Sequence, residues 1–171
     1  LHYPLRRQRQ MCIRDSNRIV NIKNEVDWLN QYLYIQKTRF YNSFDYIINI
    51  AEEIMGYKIY KLLLQPFIEN AIIHGFGGQR PGGTLKVSGQ IHNEEFIRFT
   101  IEDNGKGMSD EKLSQLNGYV VQDYIANQDG GIGIANVLNR LKIYYGAKWE
   151  FYIDSIPGSG TCITLIVPKI V

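Results

Sequence analysis

Four stretches place polar, chemistry-bearing residues in apolar surroundings. The first is IEDNGKGM, residues 101–108. A β-branched residue leads into Asp103, and an amide and two glycines, Gly105 and Gly107, follow within a few positions. A carboxylate at a strand end only accepts hydrogen bonds, so an exocyclic amine such as that of adenine is a natural partner. Glycines beside it remove side chains and let backbone approach a flat ring. The same letters also spell a tight turn, since Asp-Asn-Gly is common in hairpins.

The second stretch is LLLQPFIENAIIHG, residues 62–75. On a helix Phe67, Ala71 and Gly75 share one face, and Glu69, Asn70 and His74 lie near one another on a second. Asn70 offers an amide oxygen to a hard cation, and Mg²⁺ takes few protein ligands together with phosphate oxygens. Glu69 can hold a water or orient a reacting group. The plainer alternative is a solvated face on which His74 complements the helix dipole. The third stretch, DGGIGIANVLNRL (129–141), sets Gly131 and Gly133 ahead of a helix, where bare amides face an anion. It is neither a dinucleotide-binding nor a Walker loop, since a third glycine and a Gly-Lys-Ser/Thr are both missing; a plain connector is the alternative. The fourth, GSGT (158–161), puts the Thr161 hydroxyl at the opening of the last strand.

The elements around these stretches follow from periodicity. Residues 19–40 carry a three-four apolar stripe, so a helix is expected, with Asn21 as its cap. Its stripe needs a partner, either the chain's own core or another helix. FDYIINI (44–50) alternates as a strand does. Residues 58–75 read as one strong helix with Pro66 inside it, kinking it or marking the end of a first turn. TLKVSGQIHN and EFIRFTIED form a hairpin. A short helix over 109–117, capped by Ser109 or Asp110, and an irregular stretch over 118–131 precede a helix that ends at Gly146. WEFYIDS and TCITLIVP are the final strands. The fold class is α/β: a two-layer sandwich with a mixed, mostly antiparallel sheet and helices on one face, preceded by one helix.

Composition narrows the function classes. The chain has 171 residues, 44% hydrophobic and 21% charged, with a formal net charge of +2. That balance gives no strong attraction to nucleic acid or to a membrane surface. Cys12 and Cys162 make no disulfide framework, which suits a reducing compartment. No apolar run reaches the ~18 residues that cross a bilayer. Residues 1–16, with the basic run RRQRQ, fit nothing downstream and read as a disordered or non-native tail.

Taken in order, the four stretches resemble the ATP-binding fold shared by DNA gyrase, the Hsp90 chaperone, MutL and histidine kinases, over roughly residues 44–171. LLLQPFIENAIIHGF, YLYIQKTRF (32–40) and GIGIANVLNRLKIYYG are similar to motifs of sensor histidine kinases of the LytS/YesM type. The resemblance implies that Asp103 binds the adenine amino group, that Asn70 holds Mg²⁺, and that His74 joins the nucleotide site. It implies that Gly105, Gly107, Gly131 and Gly133 shape the pocket and its lid over 109–130, that Thr161 supports the adenine contact, and that Glu69 is catalytic, activating water in the hydrolysing relatives and helping to orient the accepting imidazole in the kinases. Arg140 is expected in structural ion pairs. The implied reaction moves the ATP γ-phosphate to a histidine and then to a response regulator, in a homodimer on the cytoplasmic side of a membrane. The acceptor motif of such kinases is not found here, so residues 17–43 are expected to be the remnant of a dimerisation helix and the chain alone to lack autophosphorylation. A hydrolysing ATPase of the same fold, or a nucleotide-binding module without turnover, are the alternatives.

Overall fold

The computed structural model describes residues 18–41, 43–77, 82–121 and 132–171. The expected tail at 1–16, with Cys12, lies outside the described residues, as do Gly131 and the last part of the expected lid, 122–130. Strand β1 (Ile19–Asn21) leads into helix α1 (Ile22–Arg39), then β2 (Phe44–Ile50), β3 (Lys58–Tyr60) and helix α2 (Gln65–Asn70), which continues as a π turn over Ala71–Gly75. Strands β4 (Gly83–Ile91) and β5 (Phe96–Asp103) precede helices α3 (Asp110–Val121) and α4 (Ile132–Tyr145), and β6 (Glu150–Ile156) and β7 (Gly160–Pro168) close the chain.

Five strands form the main sheet in the order β2-β4-β5-β7-β6. Only β2 and β4 run parallel; the other pairs are antiparallel. Alternation in β4, β5, β6 and β7 sends one set of side chains to a single face, where Val87, Ile101, Ile163 and Ile153 form one cross-strand row. All four are buried. The helices cover that face, as the sandwich class requires.

Helix α1 belongs to the same core. Ile22, Val26, Leu29 and Leu33, spaced four, three and four apart, are buried in the cluster that also holds Phe67, Ile68 and Leu138. The partner of its stripe is thus the chain's own core. The helix starts three residues later than periodicity suggests, because Ile19–Asn21 pairs with β3 instead. Asn21 stands at the cap position but makes no side-chain cap bond. The amides of Ile22 and Lys23 donate to the carbonyls of Tyr57 (2.8 Å) and Met55 (3.2 Å), which satisfies helix-end donors through backbone.

The expected helix over 58–75 needs correction. Residues 58–60 are a strand, and Leu62 takes a left-handed φ of 57° before α2 begins at Gln65. Pro66 falls in the first turn, where its missing N–H costs nothing. The break is enforced from far away. The Glu25 carboxylate accepts the amides of Leu62 (2.9 Å) and Leu64 (3.5 Å). Arg140 donates to the carbonyls of Leu62 (3.3 Å) and Lys61 (3.0 Å). Arg140 therefore serves backbone carbonyls. Helix α3 also runs further than expected, through 118–121.

Candidate functional site

The site forms where the apolar face of the sheet runs out. One step beyond the Val87 row lies the row Leu85, Asp103, Thr161, Ser155. Period-two alternation puts Asp103 on the same face as Ile97, Phe99 and Ile101, so its carboxyl group ends an apolar column and is half-buried. Its Oδ1 accepts the amide of Gly105 at 2.8 Å. Burial pushes its pKa above the ordinary aspartate value, partly offset by the amides of Gly105 and Thr161.

A cavity of about 310 Å³ opens over this row, the lower end of the range for ligand pockets, roughly 300–1,000 Å³. Phe67 and Ala71 of α2, Ile101 and Ile163 of the sheet, Met108, Leu116 of α3 and Ile134 of α4 give it apolar walls. Asp103, Thr161, Asn70, His74, Lys106 and Lys112 bring polar groups to it. An apolar slot with few convergent polar groups suits a flat heterocycle carrying a charged tail.

Two glycines let the backbone around the slot pack closely. A Cβ on Gly105 would stand 2.6 Å from the backbone of Gly75, so α2 and the β5 exit touch without side chains between them. The amide of Lys106 then donates to the Gly75 carbonyl at 2.9 Å. The π turn brings that carbonyl there: the amide of Phe76 reaches back five residues to Ala71 at 2.9 Å, a local widening that recurs at functional sites. Gly107 has φ 65°, and a Cβ there would meet the Ile156 carbonyl oxygen at 2.1 Å. Asn104 is structural: its side chain accepts from the amide of Thr84 (2.6 Å) and donates to the carbonyl of Gly82 (3.1 Å).

Asn70 lines the cavity with its side-chain nitrogen buried and unpartnered. Buried amides are ordinarily paired, and a half-turn of the side chain exchanges its oxygen and nitrogen. The group thus fits a ligand or a ligand-borne cation. Among the described residues no cluster of three histidine, cysteine or acidic side chains is arranged to hold a metal. The His74 pKa is lowered by burial and by the charges of Lys112 and Lys106, which keeps the ring neutral near pH 7.

The expected site residues therefore divide. Asn70, His74, Asp103, Gly107 and Thr161 line one cavity, and Gly105 packs directly behind it. Gly133 lies in the first turn of α4. Glu69 does not line the cavity; its Oε1 accepts from the Gln65 side chain at 2.7 Å and its carboxylate interacts with Tyr32 of α1. Lys106 and Lys112 escaped sequence reasoning, although Lys106 stands between the two glycines of the motif. Ser155 carried no signal at all. Only the register reveals it, beside Thr161 (3.0 Å between hydroxyls) and accepting the amide of Met108 at 2.9 Å.

Residues 57–170 match the family described as histidine kinase-, DNA gyrase B-, and HSP90-like ATPase. The chain is 31% identical over 153 residues to YwpD of Bacillus subtilis strain 168, covering 90% of this chain and 51% of that protein. It is 28% identical over 151 residues to the sensor protein LytS of Bacillus anthracis, covering 88% and 25%. The mycobacterial sensor histidine kinase MprB has the same fold, with a TM-score of 0.61 at 14% identity over 89% of this chain and 97% of that one. The chain thus spans about half of YwpD and a quarter of LytS.

Proposed function

Since the chain belongs to the histidine kinase-, DNA gyrase B-, and HSP90-like ATPase family, we propose that it is the ATP-binding catalytic part of a two-component sensor histidine kinase. The observation that carries this reading is the half-buried carboxyl group of Asp103 at the end of the apolar slot. Asp103 accepts the adenine amino group, Thr161 supports that contact, and Phe67, Met108 and Ile134 exclude water from the ring. The tail extends toward Asn70, where Lys106 and Lys112 neutralise phosphate charge, with His74 beside them. Asn70 would hold Mg²⁺ jointly with phosphate oxygens, and the ion would offset charge on the transferring group. Gly133, in the first turn of α4, would bring a bare helix N-terminus toward the same tail. The residues of the expected lid over 109–130 would close above it.

The acceptor is a histidine nitrogen on a helix outside this chain, and the second acceptor is a response regulator's aspartate. Glu69 sits outside the cavity, so a role on the incoming imidazole, and none on the nucleotide, is the one its place supports. Tyr34 and Ile35, exposed on α1, support a homodimer in the parent protein in which residues 17–43 form part of the dimerisation hairpin. A membrane segment elsewhere in that protein would hold this part on the cytoplasmic side; no helix among the described residues is long and apolar enough to cross a membrane. Calorimetric titration with a non-hydrolysable ATP analogue tests the reading. Wild type binds; Asp103→Asn, which turns an acceptor partly into a donor, binds about 10- to 100-fold more weakly, as expected for a lost hydrogen bond to a charged group. Equal affinities would remove the proposal. Radiolabelled ATP then separates phosphohistidine, formed only with an acceptor supplied, from free phosphate released by hydrolysis.

A further inference from the structure

Glu69 is held by a chain of donors that begins on α1. The Trp28 indole N–H donates to Oε1 of Gln65 at 3.0 Å, and Nε2 of Gln65 donates to Oε1 of Glu69 at 2.7 Å. The polarity of this chain has only one solution. An indole N–H can only donate, so Gln65 must turn its oxygen to Trp28. Its NH₂ must then face Glu69, and a carboxylate can only accept. The carboxylate and the indole thus select the same orientation of that amide from its two ends, and Trp28 fixes the end remote from Glu69. Tyr32, one turn along α1 from Trp28, reaches the same carboxylate, and Arg39 contributes a weaker opposite effect on the tyrosine. Trp28 is 48% exposed, so its packing contribution is modest while its N–H is committed to Gln65.

We propose that Trp28 and Gln65, with Tyr32, are positioning residues for Glu69, so that α1 sets the orientation of the acid used toward the acceptor. The proposal rests on the role assigned to Glu69 above. The relay reaches Glu69 through Trp28 and Gln65, neither of which lines the nucleotide cavity.

The test is a mutant cycle on phosphoryl transfer in the full-length protein, combined with ligand binding and NMR on this chain. Trp28→Phe and Gln65→Leu each lower kcat for transfer about 10-fold, the scale of outer partners that orient a functional group. KM for ATP and analogue affinity stay at wild type. Glu69→Gln lowers kcat further, and Trp28→Phe added to Glu69→Gln changes nothing more. Burial first and then Glu69 push the Tyr32 pKa up to about 12; in this chain Glu69→Gln moves that titration down, which checks that the carboxylate faces Tyr32. Losses that multiply in the double variant, or a raised KM for ATP, overturn the proposal. If the chain binds the analogue but Glu69→Gln transfers normally, the relay falls while the ATP-binding reading stands. If no analogue binds, the broader reading has failed and the relay with it.

Discussion

Asp103 carries two pH effects of opposite sign. Burial raises its pKa above the ordinary value of 3.8. Folding favours the protonated form relative to the unfolded chain, so this group's contribution to stability is full below pH 3.8 and is lost as pH rises through the raised value. Binding an amine runs the other way, because the ionised carboxylate is the better acceptor. Analogue affinity should therefore fall on acidification, beginning at a higher pH than an exposed aspartate would produce. Titration between pH 4 and 8, conditions chosen to bracket the carboxylate range, checks this, and Asp103→Asn should flatten the profile. Gly105→Ala offers a second test. The added methyl meets the Gly75 backbone at 2.6 Å, so α2 and the β5 exit must separate. A loss of about 1–3 kcal/mol, typical of overpacking, is expected in urea unfolding, together with weakened nucleotide binding. Asp103 was legible because a strand pattern ended on it. Glu69 and Asn70 read as one cluster because they adjoin in sequence, yet successive helical residues turn by about 100°. One faces the cavity and the other faces α1.

At the scale of elements, legibility followed range. The β4–β5 hairpin and the β6–β7 pair announce themselves through alternation and turn residues, which are local. The stretch 58–75 did not, because the helical pattern there is overruled by Glu25 and Arg140, 37 and 78 residues from Leu62. Glu25 is 1% exposed, and burial raises its pKa despite the amides of Leu62, Leu64 and Leu63 and the nearby Arg140. Its stabilising contribution is full below pH 4.5 and declines as pH rises through the raised value. Glu25→Gln should abolish that slope in unfolding free energy, leaving a pH-independent cost for whichever amide loses its acceptor, about 1–3 kcal/mol. Denaturant midpoints across the carboxylate range, wild type against variant, decide it: parallel curves would show that Glu25 is not the titrating group.

For the molecule as a whole, a nucleotide that binds only the folded chain must stabilise it by mass action. At 100 times the dissociation constant the gain is about 2.7 kcal/mol. Thermal unfolding should shift upward with ATP analogue in wild type and hardly at all in Asp103→Asn. Because α1 shares the core with the residues below the cavity, one cooperative transition is expected, with no separate melting of the leading helix. Two transitions would mean that α1 and the sheet fold independently.

The short strand β3 has a consequence for how this unit can be joined to others. Lys58 pairs with Asn21 on one side and bridges Ile170 on the other, and its ammonium group reaches the carbonyl of Val171 at 2.9 Å. The way into the fold and the way out of it are thus separated by the width of a single strand. A short tether between the two ends, with new termini opened at the Asn93 turn, should yield a rearranged polypeptide that still folds and binds nucleotide. By the same geometry, the whole unit could be spliced as a cassette into one exposed loop of a host protein without prying that loop apart.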